Sequence, residues 1–253
     1  MPRPPVSVCI ITRDEEANLP DCLASVRWAE EIVVVDSRSA DRTREIAAAA
    51  GARVIERDFP GHIEQKNFAV GQATHEWVLC LDADERLSPE LAASVQAALA
   101  GPGDRAGFEF PRRTFHLGRW ILHGGWYPDR KLRLFRRARG RWAGTNPHDR
   151  VEVDGPVGRL AGDLLHYSYR DLSAHLRQVD FLTTIAAREK RAKGERFRVH
   201  RLALRPAGKF LRMFILKAGF LDGVAGFVVA VTGAYYVFLK YAKLRELERG
   251  ADA

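Results

Sequence analysis

The sequence predicts an α/β protein whose first hundred residues form a doubly wound, mostly parallel sheet. Short runs of β-branched residues alternate there with longer stretches of helical periodicity, which is the pattern of successive βαβ units. The short runs are apolar throughout, as expected of strands buried on both faces. Acidic and hydroxyl residues follow these runs, and ligands of such sheets bind beyond the carboxyl ends of the strands.

Four strands and four helices are expected in this half of the chain. The predicted strands cover 6–11, 31–36, 53–58 and 76–84. The predicted helices cover 15–29, 39–51, 62–73 and 88–101. Gly51 is expected to end the second helix, and Ser88 to cap the fourth with Pro89 at its first position.

The remainder of the chain changes character twice. Residues 103–170 carry short segments rich in aromatic residues and arginine, which predict mixed or antiparallel strands and long loops. From residue 171 onward helical patterns dominate, first amphipathic and then strongly basic. We therefore expect a first domain at 1–170, with halves 1–102 and 103–170, and a helical C-terminal region at 171–253.

The composition favours an anionic partner and a reducing compartment. The formal net charge is +8, so nucleic acid, phosphorylated small molecules and acidic membrane surfaces are all candidate partners. Cys9, Cys22 and Cys80 form no CxxC pair, and two of them lie in apolar runs, which indicates buried free thiols. The N-terminus has no long apolar stretch behind its charges, so we expect a cytoplasmic protein without a secretory signal.

Two carboxylates end the fourth predicted strand. Asp82 and Asp84 are two residues apart in "CLDADERL", so on a strand they would point to the same side and could converge on one cation. Carboxylate oxygens suit Mg²⁺ or Mn²⁺, which usually keep waters and bridge to substrate phosphates. The alternative is a solvated turn before Ser88, but Asp36 at the end of another strand favours the metal site. Glu85 would point to the opposite face and serve the turn.

Successive segments resemble the motifs of family 2 glycosyltransferases, which have the GT-A fold. The resemblance covers roughly residues 6–170 and rests on "IITRDEEANLPDCLASV", "EIVVVDSRSADRTREIA", "QKNFAV" and "VLCLDADERLSPEL". The later segments "GWYPDRKLRLFRR", "PHDRV" and "LLHYSYRDL", with the tail "GFLDG…YYVFLKYAKL", resemble a bacterial lipopolysaccharide core biosynthesis subfamily that includes a β-1,4-glucosyltransferase.

The resemblance implies an enzyme and the kind of reaction that it catalyses. It implies inverting transfer of a sugar from a nucleotide sugar, with UDP-glucose suggested, to a lipopolysaccharide inner-core acceptor. It implies Mg²⁺ or Mn²⁺ as the cofactor. It also makes 1–102 the nucleotide-sugar-binding half and 103–170 the acceptor-side half of a catalytic domain.

The resemblance assigns donor-binding roles to residues near the ends of the first strands. The residues expected to bind the nucleotide are Thr12, Arg13, Glu15, Asp36, Ser37, Lys66, Asp82 and Asp84. Of these, Asp82 would lie against the ribose and the metal, and Asp84 would bind the metal directly. Lys66 stands where the family keeps a basic residue facing the nucleotide, with an exposed helix lysine as the alternative. The family usually has Asn at the position of Asp14, which we therefore leave out of the site.

Inverting transfer also needs a base on the acceptor side, which takes the proton from the attacking hydroxyl. Asp149 in "TNPHDRV" is the first candidate because it matches the acidic position of the family's acceptor-side motif, with an ion pair to Arg150 as the alternative. Asp129 is the second candidate. His166 is expected to be either a further metal ligand or a structural histidine, and Trp126 to stack on the acceptor sugar.

A long uncharged run near the C-terminus indicates contact with a membrane. Gly223–Leu239 contains 17 residues without a charge, at the lower limit for a spanning helix, and lysines and arginines crowd its flanks. Tyr235 and Tyr236 suit a membrane interface. We expect peripheral or monotopic attachment to the anionic inner face of the cytoplasmic membrane, with a single span and a packed helix as alternatives.

Several other functions are compatible with parts of the sequence. A transferase acting on polyprenyl phosphate or another cell-envelope glycolipid is a close alternative. A sugar-nucleotide pyrophosphorylase would carry a glycine-rich loop after the first strand, and "TRDEEANL" has no glycine. A basic nucleic-acid-binding protein would explain the arginines but not the D-x-D pair, so no nucleic-acid partner is expected. The sequence also leaves open whether another UDP-sugar or ADP-heptose is the donor, and whether the protein forms a homo-oligomer.

Overall fold

The computed structural model describes residues 3–145 and 148–249. Within them the chain forms two compact units. The first unit comprises the chain up to Arg112 together with Asp129–Tyr167, and the second comprises Arg113–Pro128 together with the chain from Ser168 onward. The segment 113–128, which the sequence places in the first domain, thus groups with the C-terminal helices.

The first unit is built on a mixed sheet whose parallel half agrees with the sequence prediction. Its first four strands are β1 (Val6–Thr12), β2 (Glu31–Asp36), β3 (Arg53–Glu56) and β4 (Trp77–Asp82). They pair in parallel in the order β3-β2-β1-β4. Thr12 is in register with Asp36, so the carboxyl ends of β1 and β2 lie side by side. This is the edge of the sheet where ligands of doubly wound folds bind.

Eight further strands follow in the described part of the chain, and six of them complete the sheet. They are β5 (Glu85–Leu87), β6 (Gly107–His116), β7 (Arg119–Ile121), β8 (Asp129–Arg136), β9 (Gly140–Thr145), β10 (His148–Val153), β11 (Val157–Arg159) and β12 (Leu164–His166). The strand order continues β4-β8-β6-β12-β5, and β8 runs antiparallel to both of its neighbours, β4 and β6. Strands β9 and β10 form a separate antiparallel pair.

Four helices cover the two faces of the parallel strands. They are α1 (Leu19–Ser25), α2 (Thr43–Ala49), α3 (His62–Gln72) and α4 (Pro89–Ala100). The apolar core is divided by the sheet, because alternate strand residues point to opposite faces. Val8 and Ile10 belong to one buried cluster, whereas Cys9 of the same strand belongs to the other. All three cysteines are buried free thiols, as predicted.

Two boundaries differ from the prediction for identifiable reasons. Helix α1 begins at Leu19 rather than at residue 15, because Pro20 must lie in the first turn of a helix. Strand β4 ends at Asp82, so Asp84 lies in a turn and not on the strand. The predicted cap of α4 is confirmed, since Ser88 Oγ accepts a hydrogen bond from the Leu91 amide at 3.1 Å.

The second unit is helical. It contains α5 (Leu172–Ala192), α6 (Val199–Leu211), a π-helical turn at Arg212–Leu216, a 3₁₀ turn at Gly219–Asp222 and α7 (Gly223–Arg249). Gly226 of α7 packs so closely on the 3₁₀ turn that a Cβ there would lie 1.9 Å from the carbonyl oxygen of Gly219. By length and composition, Gly219–Arg249 is the one stretch of helix in the described residues that could cross a membrane.

A buried carboxylate ties the β7 hairpin to these helices. Asp222 accepts hydrogen bonds from the Leu122 amide at 3.0 Å and the His123 amide at 2.8 Å. The Nδ1 atom of His123 lies 3.0 Å from the same carboxylate, and Arg119 donates to the Asp222 carbonyl at 2.8 Å. These contacts explain why 113–128 folds with the C-terminal helices, which the sequence pattern did not reveal.

Candidate active site

Asp36 joins the loops that follow β1 and β2. Its carboxylate is fully buried and accepts hydrogen bonds from Thr12 Oγ1 at 2.9 Å and from the Ser39 amide at 2.8 Å. Ser37 belongs to the same arrangement, because its Oγ accepts a hydrogen bond from Gln65 Nε2 at 3.1 Å. The predicted donor-binding residues Thr12, Asp36 and Ser37 therefore lie together at the carboxyl edge of the sheet.

The loop after β1 contains one residue in the left-handed backbone region. Asp14 has φ +53°, and its Oδ1 accepts a hydrogen bond from the Ala40 amide at 2.7 Å. Asn and Asp tolerate this conformation better than other side chains, which accounts for an Asp where the family usually has Asn. Arg13 is largely exposed, and burial raises the pKa of Glu15, whose Oε2 accepts a hydrogen bond from Asn18 at 2.9 Å.

Lys66 is a buried cation that links two predicted site carboxylates. Its side chain is only 7% exposed, so it is not the exposed helix lysine that the sequence left as an alternative. The Nζ atom lies 3.0 Å from Asp82 Oδ1 and 2.8 Å from Asp149 Oδ2. The same atom lies 4.3 Å from the ring centre of Trp142, which adds a cation–π contact. One ammonium thus joins the metal-site motif to the first candidate base.

Glu85 also belongs to this network, which corrects the expectation that it serves only the turn. Its side chain is fully buried, and Oε2 accepts a hydrogen bond from the Asp82 amide at 3.0 Å. Its Oε1 lies 2.9 Å from Arg133 Nη2 and 3.1 Å from Arg112 Nη1. Arg133 in turn contacts Asp82 Oδ2 at 3.0 Å. The chain turns after Asp82, so alternation along a strand no longer describes where Glu85 points.

Asp129, the second candidate base, has two cationic partners. It lies 2.8 Å from Arg112 Nη2 and 3.0 Å from Lys131 Nζ. Asp129 pairs across the sheet with Arg112, which explains the first contact. The network therefore balances four carboxylates against four cations, namely Asp82, Glu85, Asp129 and Asp149 against Lys66, Arg112, Lys131 and Arg133.

These pairings lower the pKa values of three of the acids, Asp82, Glu85 and Asp129, despite their burial. Burial acts to raise the pKa of Asp82, but the charges of Lys66 and Arg133 outweigh it and lower the pKa well below the usual range. Burial likewise opposes ionisation of Glu85, and Arg133 is the main cause that lowers its pKa. For Asp129, burial is again opposed and outweighed, here by Arg112 and Lys131, so its pKa is lowered.

Asp84 and His166 face each other at the outer end of this network. Nε2 of His166 lies 3.2 Å from Asp84 Oδ2, and the Tyr167 amide donates to the Asp84 carbonyl at 2.9 Å. The pairing of β12 with β5 puts His166 opposite Glu85, which explains why the two segments meet. Imidazole nitrogen and carboxylate oxygen are both ligands for Mn²⁺ or Mg²⁺ sites that take their other ligands from water and phosphate.

Asp84 and His166 offer two donor groups, so a cation held there would take its other ligands from outside the chain. Within residues 3–145 and 148–249, no three His, Cys, Asp or Glu side chains are grouped as a protein-only metal site. Asp82 is already bound by two cations, so Asp84 and His166 are the two groups that remain suited to a cation.

Trp126 belongs to the second unit, whereas the other predicted site residues belong to the first. Its ring is 5.9 Å from that of His116, 5.9 Å from that of His175 and 6.4 Å from that of Tyr169. His116 and His175 are themselves joined by ring nitrogens 3.1 Å apart. Burial lowers the pKa of His175 to about 4, so this aromatic cluster is uncharged at neutral pH.

The family of the chain follows from its sequence. The profile described as "Glycosyl transferase family 2" matches residues 7–153, which hold β1 to β10 and the whole charge network. The chain belongs to glycosyltransferase family 2. This family 2 glycosyltransferase is 32% identical over 251 residues to the lipopolysaccharide core biosynthesis glycosyltransferase LpsC of Rhizobium meliloti, a match that covers 96% of this chain and 93% of that protein. It is 31% identical to an uncharacterized glycosyltransferase of Rickettsia typhi, over 96% of this chain and 87% of that one.

The fold is shared with a solved glycosyltransferase. The structure of the mannosyltransferase PcManGT from Pyrobaculum calidifontis in complex with GDP-Man and Mn²⁺ matches 96% of this chain and 87% of that chain, with a TM-score of 0.56 and 15% identity. The likeness confirms the predicted GT-A fold class. The predicted enzyme class and the resemblance to the lipopolysaccharide core subfamily are confirmed by the sequence relatives.

Proposed function

We propose that this enzyme transfers a sugar, with inversion, from a nucleotide sugar to a lipopolysaccharide inner-core acceptor, with UDP-glucose as the first donor to test. The observation that carries the proposal is the buried ammonium of Lys66, which lies between Asp82 at the end of β4 and Asp149 on β10. A fixed cation between a donor-side acid and an acceptor-side acid suits a displacement in which a diphosphate leaves as a hydroxyl is deprotonated. The acceptor is suggested by LpsC, a lipopolysaccharide core biosynthesis glycosyltransferase.

The nucleotide is proposed to bind over the loops that follow β1 and β2. Hydrogen bonds between Thr12, Asp36 and Ser39 hold these two loops together, so their outer surface is preorganised. Arg13 is exposed beside them and is available to an anionic ligand. Glu15 and Ser37 complete the group that we assign to the base and ribose.

Asp84 and His166 are the residues that would hold Mg²⁺ or Mn²⁺. When bound, the metal would neutralise charge on the diphosphate of the donor. PcManGT, whose structure contains GDP-Man and Mn²⁺, is a precedent for this cofactor in the same fold. Asp82 then acts mainly through Lys66 and Arg133, which it fixes beside the diphosphate site.

Asp149 is assigned as the base. It accepts the proton of the acceptor hydroxyl while the new bond forms at the anomeric carbon and the bond to the nucleoside diphosphate breaks on the opposite face. Asp129 is less suited to this role, because Arg112 and Lys131 bind it and lower its pKa. Lys66 holds Asp149 in place and provides positive charge near the leaving group.

The acceptor is a glycolipid in this proposal, and the second unit attaches the enzyme to the inner face of the cytoplasmic membrane. The helical stretch Gly219–Arg249, which by length and composition could cross a membrane, supports the attachment. Trp126 is the residue that we assign to the acceptor sugar.

A screen of nucleotide sugars tests the donor half of the proposal. Purified full-length enzyme is incubated with Mn²⁺ or Mg²⁺ and each nucleotide sugar, and hydrolysis is measured before truncated lipopolysaccharides are added as acceptors. We expect metal-dependent turnover that Asp84→Ala abolishes while the thermal unfolding curve stays cooperative. If no nucleotide sugar is bound or hydrolysed, the proposal is wrong. Transfer to polyprenyl phosphate alone would keep the chemistry and replace the acceptor.

A further inference from the structure

The two strands that carry the candidate base form a hairpin outside the main sheet. Strands β9 and β10 pair with each other, and in the described part of the chain neither pairs with a strand of the ten-stranded sheet. Asp149 lies on β10, opposite Gly144 of β9. Side-chain contacts therefore decide where the hairpin holds Asp149 relative to the strands that were predicted to bind the nucleotide.

A side-chain amide of α3 binds the backbone of this hairpin twice. Nδ2 of Asn67 donates to the carbonyl oxygen of Trp142 at 2.9 Å, and Oδ1 accepts a hydrogen bond from the Trp142 amide at 2.9 Å. Asn67 thus takes, at this one residue of β9, the place of a neighbouring strand, because it provides one donor and one acceptor side by side. A carboxylate or an apolar side chain of the same size cannot make both bonds.

The ring of the same tryptophan contacts the charge network. Trp142 is 2% exposed, and the centre of its ring lies 4.3 Å from Lys66 Nζ and 5.0 Å from the guanidinium carbon of Arg133. Lys66 precedes Asn67 in α3, so the two side chains leave the helix about 100° apart. The helix therefore holds Trp142 at two places, the backbone through Asn67 and the ring through Lys66.

The register of the hairpin carries this hold to Asp149. Val151 of β10 lies opposite Trp142, and both side chains belong to one buried cluster. Asp149 precedes Val151 by two residues, so the alternation along a strand places its side chain on the same face. Asp149 lies two residues, or about 7 Å, along the hairpin from Trp142. In this position its Oδ2 lies 2.8 Å from Lys66 Nζ.

We propose that Asn67 is a positioning residue of the transferase, which holds the β9–β10 hairpin on α3 so that Asp149 stays beside Lys66 at the acceptor hydroxyl. The role rests on the proposed function, in which Asp149 is the base. Asn67 acts through the backbone of Trp142 rather than on a reacting atom. Without its two hydrogen bonds the backbone of β9 is no longer tied to α3, and misplacement of a catalytic group by about 1 Å can slow a reaction by about 10²-fold.

Kinetics of two variants separate this role from donor binding. Asn67→Ala removes both hydrogen bonds, and Asn67→Asp keeps the acceptor for the Trp142 amide but places a carboxylate against the Trp142 carbonyl. In transfer from UDP-glucose to truncated lipopolysaccharide with Mn²⁺, we expect kcat to fall by about tenfold or more in both variants. The affinity for UDP, measured by calorimetry with Mn²⁺, should stay within about twofold of wild type, because Lys66 keeps its contact with Asp82.

A substitution in the other core cluster of the same unit is the matched control for lost stability. Val95 of α4 is fully buried in the cluster that does not contain Trp142. Val95→Ala lowers the free energy of unfolding through lost packing, and it leaves the hairpin untouched, so it should transfer sugar as wild type does. If Val95→Ala slows transfer as much as Asn67→Ala does at an equal loss of stability, the proposal is overturned.

A double-mutant cycle tests whether Asn67 acts through Asp149. If it does, Asn67→Ala should lower kcat by less than about twofold once Asp149→Asn has removed the base, because the two losses share one cause. Losses that multiply in full would show that Asn67 acts independently of the base, and they would overturn the proposal. Thermal unfolding of the single and double variants confirms that each is folded.

Hydrogen exchange of the full-length protein tests the contact without donor or acceptor. The Trp142 amide, which donates to Asn67, should exchange faster in Asn67→Ala by about tenfold or more, whereas the amides of β1 should exchange as they do in wild type. Mass spectrometry of peptides that cover 140–145 and 6–12 measures both. Unchanged exchange over 140–145 would show that the hairpin is held without Asn67, which is the opposite of the proposal.

Failure of this inference can be told apart from failure of the proposed reaction. If Asp149→Asn transfers sugar as wild type does, the assignment of the base is wrong, and the role of Asn67 falls with it. If Asp149→Asn is impaired and Asn67→Ala is not, only the role of Asn67 is wrong. If Asn67→Ala binds UDP more weakly by about tenfold or more, Asn67 serves the donor site instead of the base.

Discussion

The Nζ atom of Lys66 lies 2.8 Å from Oδ2 of Asp149, although 83 residues separate them in the sequence. The contact connects α3, in the half that was predicted to bind the nucleotide, to β10, in the half that was predicted to bind the acceptor. It is formed in a buried environment, where a charge is costly without a partner of opposite sign, and Asp82 is a second such partner of Lys66. The candidate site is therefore a single electrostatic unit.

Removal of the Lys66 charge should destabilise the fold as well as the activity. Lys66→Met leaves Asp82 and Asp149 without their shared cation, and loss of one partner of a buried ion pair costs about 3 kcal/mol or more. We expect a fall of that size in the free energy of unfolding measured by urea denaturation. Lys193→Met, at an exposed lysine, is the matched control and should change little. An unchanged midpoint for Lys66→Met would show that the ion pairs are dispensable for stability.

Stability should fall in acid because several carboxyl groups have lowered pKa values in the folded state. A group of this kind stabilises the fold above its unfolded pKa, and the contribution is lost as the pH falls through the folded value. For Glu31, burial is outweighed by hydrogen bonds from Ser7, Thr74 and Arg53, and the pKa falls from 4.5 to about 2. Asp82, Glu85 and Asp129 shift in the same direction.

The free energy of unfolding should therefore decline below about pH 6.5, where His175 of the unfolded chain binds a proton that the buried imidazole does not, and should decline further below about pH 5 as the carboxyl groups are protonated. Glu31→Gln should remove part of the decline between pH 4.5 and about pH 2. Glu31 lies outside the candidate site, so this variant leaves the site unchanged. Urea denaturation at a series of pH values gives both curves. If the stability of the wild-type protein rises on acidification, the directions assigned to these pKa shifts are wrong.

Substitution of the two candidate bases should have unequal effects. Asp149→Asn should lower kcat by about 10² to 10⁴ while donor affinity changes little, as expected for loss of a general base. Asp129→Asn should cost less than about tenfold, because its carboxylate is bound by Arg112 and Lys131 and serves to position them. Steady-state kinetics measure kcat and calorimetry measures donor affinity, so the effect on catalysis is separated from the effect on binding. The reverse order of effects would assign the base to Asp129.

Metal affinity should depend on Asp84 and His166. Asp84→Ala and His166→Ala should each weaken Mn²⁺ binding in the presence of a nucleoside diphosphate by about tenfold or more. Electron paramagnetic resonance of free Mn²⁺ measures this without turnover. Glu45→Ala, at an exposed carboxylate of α2, is the control and should bind Mn²⁺ as wild type does. Equal affinity in all three variants would show that the cation, if bound, lies elsewhere.

The parallel half of the fold could be predicted from the sequence because each signal there is local. The β-branched run at 31–36 becomes β2 with the same bounds, and Ser88 with Pro89 marks the start of α4. The positions of Asp36 and Asp82 at strand ends followed from the same runs. Periodicity and caps act over a few residues, so one sequence is enough to read them.

The charge network could not be predicted, since its contacts cross the sheet. Arg112 meets Asp129 through the pairing of β6 with β8, and Arg133 reaches Glu85 from β8. The one available signal was Arg133 itself, a charge that stands directly between Leu132 and Leu134. Glu85 was misassigned because alternation was extended past Asp82, where the hydrogen bond to the Asp82 amide already turns the chain.

Transfer from a nucleotide sugar to a truncated lipopolysaccharide is the most direct test of the central claim. Wild-type enzyme and Asp149→Asn are compared with Mn²⁺ present, and the product is detected by mass spectrometry with its anomeric configuration assigned by nuclear magnetic resonance. We expect an inverted product from wild type and a rate of transfer that falls by about 10²-fold or more with Asp149→Asn. A product with retained configuration, or full transfer by Asp149→Asn, would contradict the proposed function.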